Sequence, residues 1–140
     1  MNSMSQVEVI PLGGCGEIGK NMTVIRQGDE ILVVDAGLSF PTPEMHGVDI
    51  VIPDITYLKN NAEKVLGIVL THGHEDHVGA LPYVLPELRC PIYGTELTLA
   101  LVRRRLVERL TPDVLDLRPL VPRQPTEIGS FRVEAIYMTH

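Results

Sequence analysis

The sequence predicts an α/β domain, which some schemes class as α+β, with a sheet flanked by helices. Short apolar and β-branched runs bounded by glycine or proline predict strands. Stretches with apolar residues three or four positions apart predict helices. The two patterns alternate along most of the chain, and this alternation is typical of parallel strands joined by helical crossovers.

The first part of the chain is predicted to form antiparallel strands. An apolar run at residues 7–12 ends at glycines, and two β-rich runs follow at residues 22–26 and 31–35. Residues 27–30 contain the Gly-Asp pair of a tight turn, so we expect the second and third strands to form a hairpin. A loop with two prolines, residues 40–43, then ends this part of the chain.

Helices and strands alternate in the rest of the predicted order. We expect helices at residues 57–66, 80–88 and 95–110, and strands at residues 67–70, 91–94, 113–116, 126–128 and 131–138. Thr95 is a favoured N-cap residue for the third of these helices.

Length, composition and charge limit the number of domains and the classes of function that the chain can have. The 140 residues, 44% of them hydrophobic, allow one modest core, and hence one domain or part of one. The formal net charge of −6 argues against a broad basic surface that wraps nucleic acid. A nuclease remains compatible with this charge, because divalent cations would offset negative charge where a phosphate approaches.

Targeting signals and disulfides are not expected. Residues 1–6 lack the basic and apolar segments of a signal peptide, and no apolar run is long enough to span a bilayer. Cys15 and Cys90 are the only thiols and form no C-x-x-C pair, so we expect both to be reduced. We therefore expect a cytoplasmic protein with no membrane partner.

The strongest functional signal is the segment H-x-H-x-D-H at residues 72–77, which directly follows an apolar run. Residues two apart in an extended segment point the same way, so His72 and His74 can bind one ion together. Asp76 and His77 lie one step further on and can face a second ion. Imidazole and carboxylate ligands without thiolate suit Zn²⁺, or Mn²⁺ and Fe²⁺ less exclusively, and are more often catalytic than structural. The alternative is a polar turn with chance histidines.

This segment resembles the metal-binding motif of metallo-β-lactamase fold hydrolases. Three further segments are similar to the ribonuclease J family, a member of the nucleic-acid-processing β-CASP branch: PLGGCGEIGKN at residues 11–21, VVDAG at 33–37 and GVDIVIPD at 47–54. The resemblance runs from about Val7 to His140. Three motifs in the same order are more specific than any one of them.

The resemblance implies the αββα sandwich of the metallo-β-lactamase fold, with metals along one sheet edge. Residues 1–140 would be the N-terminal part of that domain, and its remainder and the β-CASP domain would lie outside this chain. His140 matches the third histidine of the family's first metal site. A natural chain rarely ends on a metal ligand, so we expect a fragment that folds poorly and is inactive alone.

The resemblance also implies roles for the site residues. His72, His74 and His140 would bind one ion and leave a position for water. Asp76 and His77 would be catalytic residues and would begin the second ion's site, which a later aspartate and histidine would complete. Asp35 matches a family aspartate beneath the site that could orient a ligand imidazole, or it is an ordinary carboxylate in a turn at a strand end.

The implied function is a metal-dependent ribonuclease that acts in RNA maturation, including that of rRNA, and in decay. It would combine 5′-to-3′ exonuclease and endonuclease activity, prefer 5′-monophosphorylated RNA, and leave a 5′-phosphate and a 3′-hydroxyl. The complete site would hold two Zn²⁺ ions, with Mn²⁺ or Mg²⁺ as other possibilities, in a homo-oligomer (dimer or tetramer). Alternatives are a DNA-directed β-CASP nuclease, a hydrolase of thioesters or lactones, and a noncatalytic fragment.

Other polar and glycine residues carry weaker hypotheses. Gly13, Gly14, Gly16 and Gly19 would let the backbone pass near the site or a phosphate, or they only form tight turns. Glu17 and Asn21, in the same turn, have no assigned role. We expect His46 to be a solvated loop residue. Consecutive helical residues point about 100° apart, so the arginines at 103–105 do not form one basic face.

Overall fold

A mixed sheet of six strands organises the chain in a computed structural model that describes residues 6–140. The strands are β1 (Val7–Gly13), β2 (Met22–Gln27), β3 (Glu30–Val34), β4 (Val65–Val69), β5 (Ile92–Gly94) and β6 (Leu117–Pro119), in the spatial order β1-β2-β3-β4-β5-β6. β2 runs antiparallel to its neighbours β1 and β3, and β3 to β6 run parallel. This architecture confirms the α/β class.

The predicted hairpin joins β2 and β3. Gln27 and Glu30 are paired across the two strands, so only Gly28 and Asp29 form the turn. Gly28 has a φ of +60°, a left-handed conformation that glycine adopts at little cost. The predicted opening of antiparallel strands is therefore confirmed.

Helices make the crossovers between the parallel strands. They are α1 (Thr56–Asn60), α2 (Glu75–Val78), α3 (Leu81–Leu88) and α4 (Glu96–Leu106), with 3₁₀ turns at Ala62–Lys64 and Pro112–Val114. Leu58 of α1, Leu85 of α3 and Val102 of α4 are buried in one cluster with Ile68 of β4 and Ile92 of β5. The helices thus cover one face of the sheet, because they share a core with its strands.

Side chains of the central strands alternate between two apolar clusters. Ile31 and Val33 of β3 belong to the cluster beneath the helices, whereas Leu32 between them belongs to a second cluster. In β4, Ile68 belongs to the cluster beneath the helices, and Val69 packs against the second cluster. Strand residues point to opposite faces in turn, so both faces of the sheet are apolar and each needs a covering layer.

A separate hairpin covers part of the second face. It consists of β7 (Thr126–Ile128) and β8 (Phe131–Val133), which are antiparallel. Ile128 is buried against Leu32 and Tyr93, and Phe131 packs on the same cluster. The layer order is therefore helices, main sheet and a two-stranded ladder, which is the order expected for the first part of a sandwich of two sheets.

The prediction of one helix over residues 57–66 was wrong. Helix α1 ends at Asn60, and Val65 and Leu66 belong to strand β4. Val65 is paired with Ile31 of β3. Val65 and Leu66 continue into the apolar run at residues 67–70, and a short continuous apolar run fits a strand as well as a buried helix. Strand pairing decided between them here.

The helix predicted at residues 95–110 is shorter, because α4 ends at Leu106. Thr95 occupies the N-cap position, but its side chain does not cap the helix; its hydroxyl donates to the Thr98 hydroxyl at 3.2 Å. The helix predicted at 80–88 and the strand predicted at 91–94 agree with the structure to within one residue.

Two late strands also differ from prediction. The strand expected at residues 113–116 is wrong, because Pro112 begins a 3₁₀ turn there and pairing with β5 starts only at Leu117. The strand expected at residues 131–138 ends at Val133. Beyond it, Ile136 and Tyr137 are exposed, and no strand within residues 6–140 pairs with this segment.

Within residues 6–140, no helix is both long and apolar enough to cross a bilayer. The prediction that residues 1–6 carry no targeting signal concerns mostly residues 1–5, which lie outside the described part of the chain. Cys15 and Cys90 are both free. Cys90 is buried, and burial raises the pKa of its thiol to about 12, so it is an unreactive core residue.

Candidate metal centre

The predicted site lies where two neighbouring parallel strands end. Asp35 follows β3, and residues 71–77 follow β4. The Asp35 backbone N–H donates to the Val69 carbonyl at 2.9 Å, which joins the two strand ends. Both segments therefore reach the same edge of the sheet, the edge at which open α/β sheets bind ligands.

Backbone hydrogen bonds join helix α2 to the segment that follows β3. These bonds run from Ala36 N to His77 O (2.8 Å), from Leu38 N to Glu75 O (3.1 Å) and from Ala80 N to Ala36 O (2.8 Å). A Cβ atom on Gly37 would overlap the carbonyl group of Asp76. Glycine at position 37 thus permits the close approach that places Asp76 and His77 at the site.

Three histidines from two distant parts of the chain converge. The ligand nitrogens of His72, His74 and His140 all lie within 4.8 Å of one another. The Nε2 atoms of His72 and His140 are 3.0 Å apart. His72 lies in the loop after β4, His74 occupies the N-cap position of α2, and His140 arrives from beyond β8.

Thr71 orients the imidazole of His72. Its hydroxyl lies 2.8 Å from the Asp35 carboxylate, to which it donates its one proton. The same oxygen is 3.0 Å from Nδ1 of His72 and therefore accepts from that nitrogen. His72 then carries its proton on Nδ1, and its Nε2 lone pair faces His140, as a metal ligand requires.

Asp76 and His77 form a second group beside the first. Nδ1 of His77 is 2.7 Å from Oδ2 of Asp35 and donates to it, so Nε2 of His77 is left with a lone pair. That Nε2 atom is 3.4 Å from Oδ2 of Asp76. The rings of His72 and His77 are 4.1 Å apart between centroids. The two groups could therefore hold two cations next to each other.

Asp35 is a buried carboxylate, only 4% exposed, with specific partners. Besides His77, it accepts hydrogen bonds from the backbone N–H and the hydroxyl of Thr71, both at 2.8 Å. These contacts favour the reading of Asp35 as a partner that orients a ligand imidazole over that of an ordinary turn residue. Its influence on a bound metal remains a prediction.

The electrostatic environment lowers the pKa of His72. Burial is the largest cause, followed by charge repulsion from His77, His140 and His74, while Asp35 acts in the opposite direction. A lowered pKa keeps the imidazole of His72 neutral at lower pH. Neutral imidazole is the form that binds metal, so His72 keeps its ligand form to lower pH.

The donors fit a divalent cation such as zinc. Two nitrogens bonded to one tetrahedral zinc lie about 3.3 Å apart, given Zn–N bonds of about 2.0–2.1 Å. The 3.0 Å separation of the His72 and His140 Nε2 atoms is close to this value. Three imidazoles around one point leave a fourth position for water, the usual composition of a catalytic zinc site.

Two residues at the site were not recognised in the sequence. Thr71 immediately precedes the motif, but only the fold brings Asp35 within reach of it. Asn21 donates from Nδ2 to the Asp76 carbonyl at 3.0 Å, across 55 sequence positions. No periodicity or spacing in the sequence predicts such a contact.

The weaker candidates lie apart from the histidines or have other partners. Glu17 binds Lys20 at 3.2 Å and the backbone N–H of Gly14 at 3.1 Å. Arg105 pairs with Glu75, and Arg109 donates to the Tyr83 hydroxyl at 3.1 Å. Arg105 and Arg109 thus bind side chains of this chain. That the arginines at 103–105 form no single basic face stays a prediction.

Known proteins share this fold and much of this sequence. Residues 15–140 match the metallo-beta-lactamase superfamily. Ribonuclease J of Synechocystis sp. is 49% identical over 142 residues, covering 99% of this chain and 22% of the relative. Ribonuclease J of Helicobacter pylori is 44% identical over 141 residues, covering 100% of this chain and 20% of the relative. The chain thus spans less than a quarter of the length of either relative.

A solved structure supports the same fold. The metallo-beta-lactamase fold protein YhfI from Bacillus subtilis superposes with a TM-score of 0.62 at 18% identity, over 93% of this chain and 52% of that chain. The predicted metallo-β-lactamase fold and the resemblance to ribonuclease J are therefore confirmed. The fold implies a metal cofactor, and the histidine cluster is a fitting place for it.

Proposed function

Because the chain belongs to the metallo-β-lactamase superfamily, we propose that residues 1–140 are the N-terminal part of the catalytic domain of a ribonuclease J. The observation that carries this proposal is the convergence of His72, His74 and His140 at the sheet edge, in a chain 49% identical to a ribonuclease J. The rest of that domain and a β-CASP domain would follow in the complete protein.

We assign two cations to the complete site. His72, His74 and His140 would hold one, and Asp76 and His77 would hold the other together with ligands from outside this chain. Nitrogen-rich ligands favour Zn²⁺ at the first position. Mn²⁺ or Mg²⁺ are the other candidates, more so at the second position, where a carboxylate contributes.

The chain's own residues would prepare the site for phosphodiester hydrolysis. When bound, divalent cations make water acidic enough to ionise near neutral pH and offset the phosphate charge. Asp76 would accept a hydrogen bond from the attacking water and orient it. His77, held by Asp35, would present its Nε2 atom in a fixed direction. Both would act as catalytic residues, and Asp35 as a positioning residue.

The proposed substrate is RNA with a 5′-monophosphate. Cleavage would proceed from the 5′ end and also internally, and would leave 5′-phosphate and 3′-hydroxyl products during RNA maturation, including that of rRNA, and decay. We propose a cytoplasmic homo-oligomer, a dimer or tetramer, as the working form. Since the second cation site is incomplete in residues 1–140, we expect this segment alone to be inactive.

A substrate comparison on the full-length protein tests this function. We expect release of 5′-mononucleotides from 5′-monophosphorylated RNA, little cleavage of DNA of the same sequence, and no hydrolysis of thioesters or lactones. Faster cleavage of the DNA would favour a DNA-directed β-CASP nuclease, and thioester or lactone hydrolysis alone a generic hydrolase. A protein that hydrolyses none of these would be noncatalytic.

A matched pair of variants assigns the activity to this site. Asp76→Asn should abolish RNA cleavage, because the amide neither holds a cation well nor orients water as a carboxylate does. Asp113→Asn, at an exposed position on the turn before β6, should retain wild-type cleavage. Equal activity of the two variants would reject the assignment of Asp76.

A further inference from the structure

The glycine loop, residues 14–21, connects β1 to β2 and ends at Asn21. Asn21 contacts both segments that form the site, the one that follows β3 and the one that follows β4. Its backbone N–H donates to the Asp76 carbonyl at 3.1 Å. Its own carbonyl accepts from the Gly37 N–H at 2.9 Å. The backbone of Asn21 is thus fixed between helix α2 and the segment that follows β3.

The side chain of Asn21 reaches the two predicted ligands of the second cation. Its Nδ2 atom donates to the Asp76 carbonyl at 3.0 Å. The same atom is 3.4 Å from Oδ2 of Asp76 and 3.4 Å from Nε2 of His77. One amide group therefore faces the carboxylate and the imidazole together.

The direction of this amide follows from its partners. The Asp76 carbonyl can only accept a hydrogen bond, so a flipped amide would place two oxygens against each other. The nitrogen must face Asp76 and His77. An amide nitrogen has no lone pair to offer a metal, so Asn21 acts on the ligands as a donor and is not itself a ligand.

The glycine loop is shaped around this side chain. A Cβ atom on Gly14 would lie 2.5 Å from Oδ1 of Asn21, and the φ of Gly14 is +86°. The N–H of Gly14 also binds the Glu17 carboxylate at 3.1 Å, which closes the loop on itself. A larger residue at position 14 would displace the amide, independently of any contact with Asp76.

We propose that Asn21 is a positioning residue for the second cation: by donating to the Asp76 carbonyl and carboxylate, its amide holds Asp76 at the spacing from Nε2 of His77 that one ion requires. The glycine loop then serves to place Asn21. This inference rests on the proposed function in that it takes Asp76 and His77 as ligands of a second ion. It does not depend on which substrate is cleaved.

Zinc titration of the metal-free full-length protein tests this role. We compare Asn21→Ala, which removes the amide, with Asn21→Leu, which keeps the branched shape of the side chain but has no donor. Asn61→Ala is the matched control, because Asn61 donates a comparable 2.8 Å bond to the Tyr57 carbonyl away from the site. The readouts are the affinities of the first and second zinc equivalents and the thermal unfolding of the metal-free protein.

Both Asn21 variants should weaken binding of the second equivalent by about 10- to 100-fold, the usual effect of removing a group that orients metal ligands. Binding of the first equivalent should be unchanged, and Asn61→Ala should bind both as wild type does. Unchanged binding of the second equivalent in both Asn21 variants would overturn the proposal. Equal weakening of both equivalents would also overturn it, because it would show only general support of the fold.

The proposed function can fail separately from this inference. If the wild-type protein binds two zinc ions but does not cleave RNA, the function is wrong, and the zinc affinities of the variants still decide the role of Asn21. A wild-type protein that binds one zinc ion at most would contradict the role of Asn21 directly. If Asn21→Leu does not fold, Asn21→Ala gives the same comparison without added bulk.

Discussion

The Asp35 carboxylate and the Nδ1 atom of His77 form a 2.7 Å hydrogen bond that links the ends of two neighbouring parallel strands. The two residues are 42 positions apart in sequence. The bond determines which nitrogen of His77 carries the proton, and it leaves Nε2 directed toward Asp76. A buried carboxylate thus sets the chemical form of a partly buried imidazole.

We predict that Asp35→Asn weakens binding of the second zinc ion by about 10- to 100-fold while the protein stays folded. An asparagine tolerates the left-handed φ of +64° at this position, so the backbone can be retained. Its NH₂ group would donate to Nδ1 of His77 and move the imidazole proton to Nε2, the ligand atom. Zinc titration of the full-length protein measures the change.

Asp116→Asn is the control for this prediction. Asp116 is an exposed aspartate that binds Arg118 at 2.8 Å, away from the histidines. The Asp116→Asn variant should bind zinc with the affinity of the wild-type protein. If Asp35→Asn and Asp116→Asn are indistinguishable in zinc affinity, Asp35 does not orient His77 for a metal.

We predict that Gly37→Ala destabilises the protein by at least about 3 kcal/mol, at the upper end of overpacking effects. The added methyl group would overlap the backbone of Asp76, and backbone cannot rotate away as a side chain can. Chemical unfolding measures the loss. Gly94→Ala, whose new Cβ would have only ordinary contacts of 3.4 Å and longer, should remain within about 1 kcal/mol of wild type. Equal stability of the two variants would refute the close approach at Gly37.

We predict that the metal-free protein loses stability as the pH falls below 6.5, the ordinary pKa of histidine. Burial and the neighbouring histidines lower the pKa of His72 in the folded state. The unfolded chain therefore binds a proton first, and stability falls with pH between 6.5 and the lowered value. Thermal unfolding at pH 7.5 and at lower pH measures this loss.

The matched variants for this pH effect are His72→Gln and His46→Gln. The first removes the titrating group and should reduce the pH dependence. The second changes an exposed loop histidine and should leave the pH dependence as in wild type. A pH dependence that survives unchanged in His72→Gln would assign it to other groups.

We predict that His74→Ala removes most of the zinc from the first site and barely alters folding. His74 is exposed and its side chain makes no capping hydrogen bond, so its loss costs little stability. Elemental analysis of the purified full-length variant, beside His46→Ala, measures zinc content. Zinc retained equally in both variants would remove His74 from the ligand set.

Local patterns predicted the parts of the fold that depend on neighbouring residues. The turn at Gly28 and the helix that carries Leu85 follow from residue types within a few positions. Pairing partners decided the rest: Val65 joined a strand because Ile31 was available beside it. The run before His140 has strand-like alternation, but it lacks a neighbour among residues 6–140 and is not a strand there.

The same distinction holds for the candidate site. Residues 72–77 could be named from the sequence, because ligand types in a dense motif are recognisable without a fold. His140 was named through the family resemblance. The partners that orient them could not, because Asp35, Asn21 and Thr71 act through contacts that only the folded sheet edge creates. Asp35 was a candidate only through a family resemblance.

Anomalous diffraction at the zinc edge, from crystals of the full-length protein grown with zinc, tests most directly whether these side chains bind cations. We expect a peak about 2.0–2.1 Å from a nitrogen of each of His72, His74 and His140, and a second peak beside Asp76 and His77. Ordered histidines with no anomalous peak between them would show that they do not form a metal site.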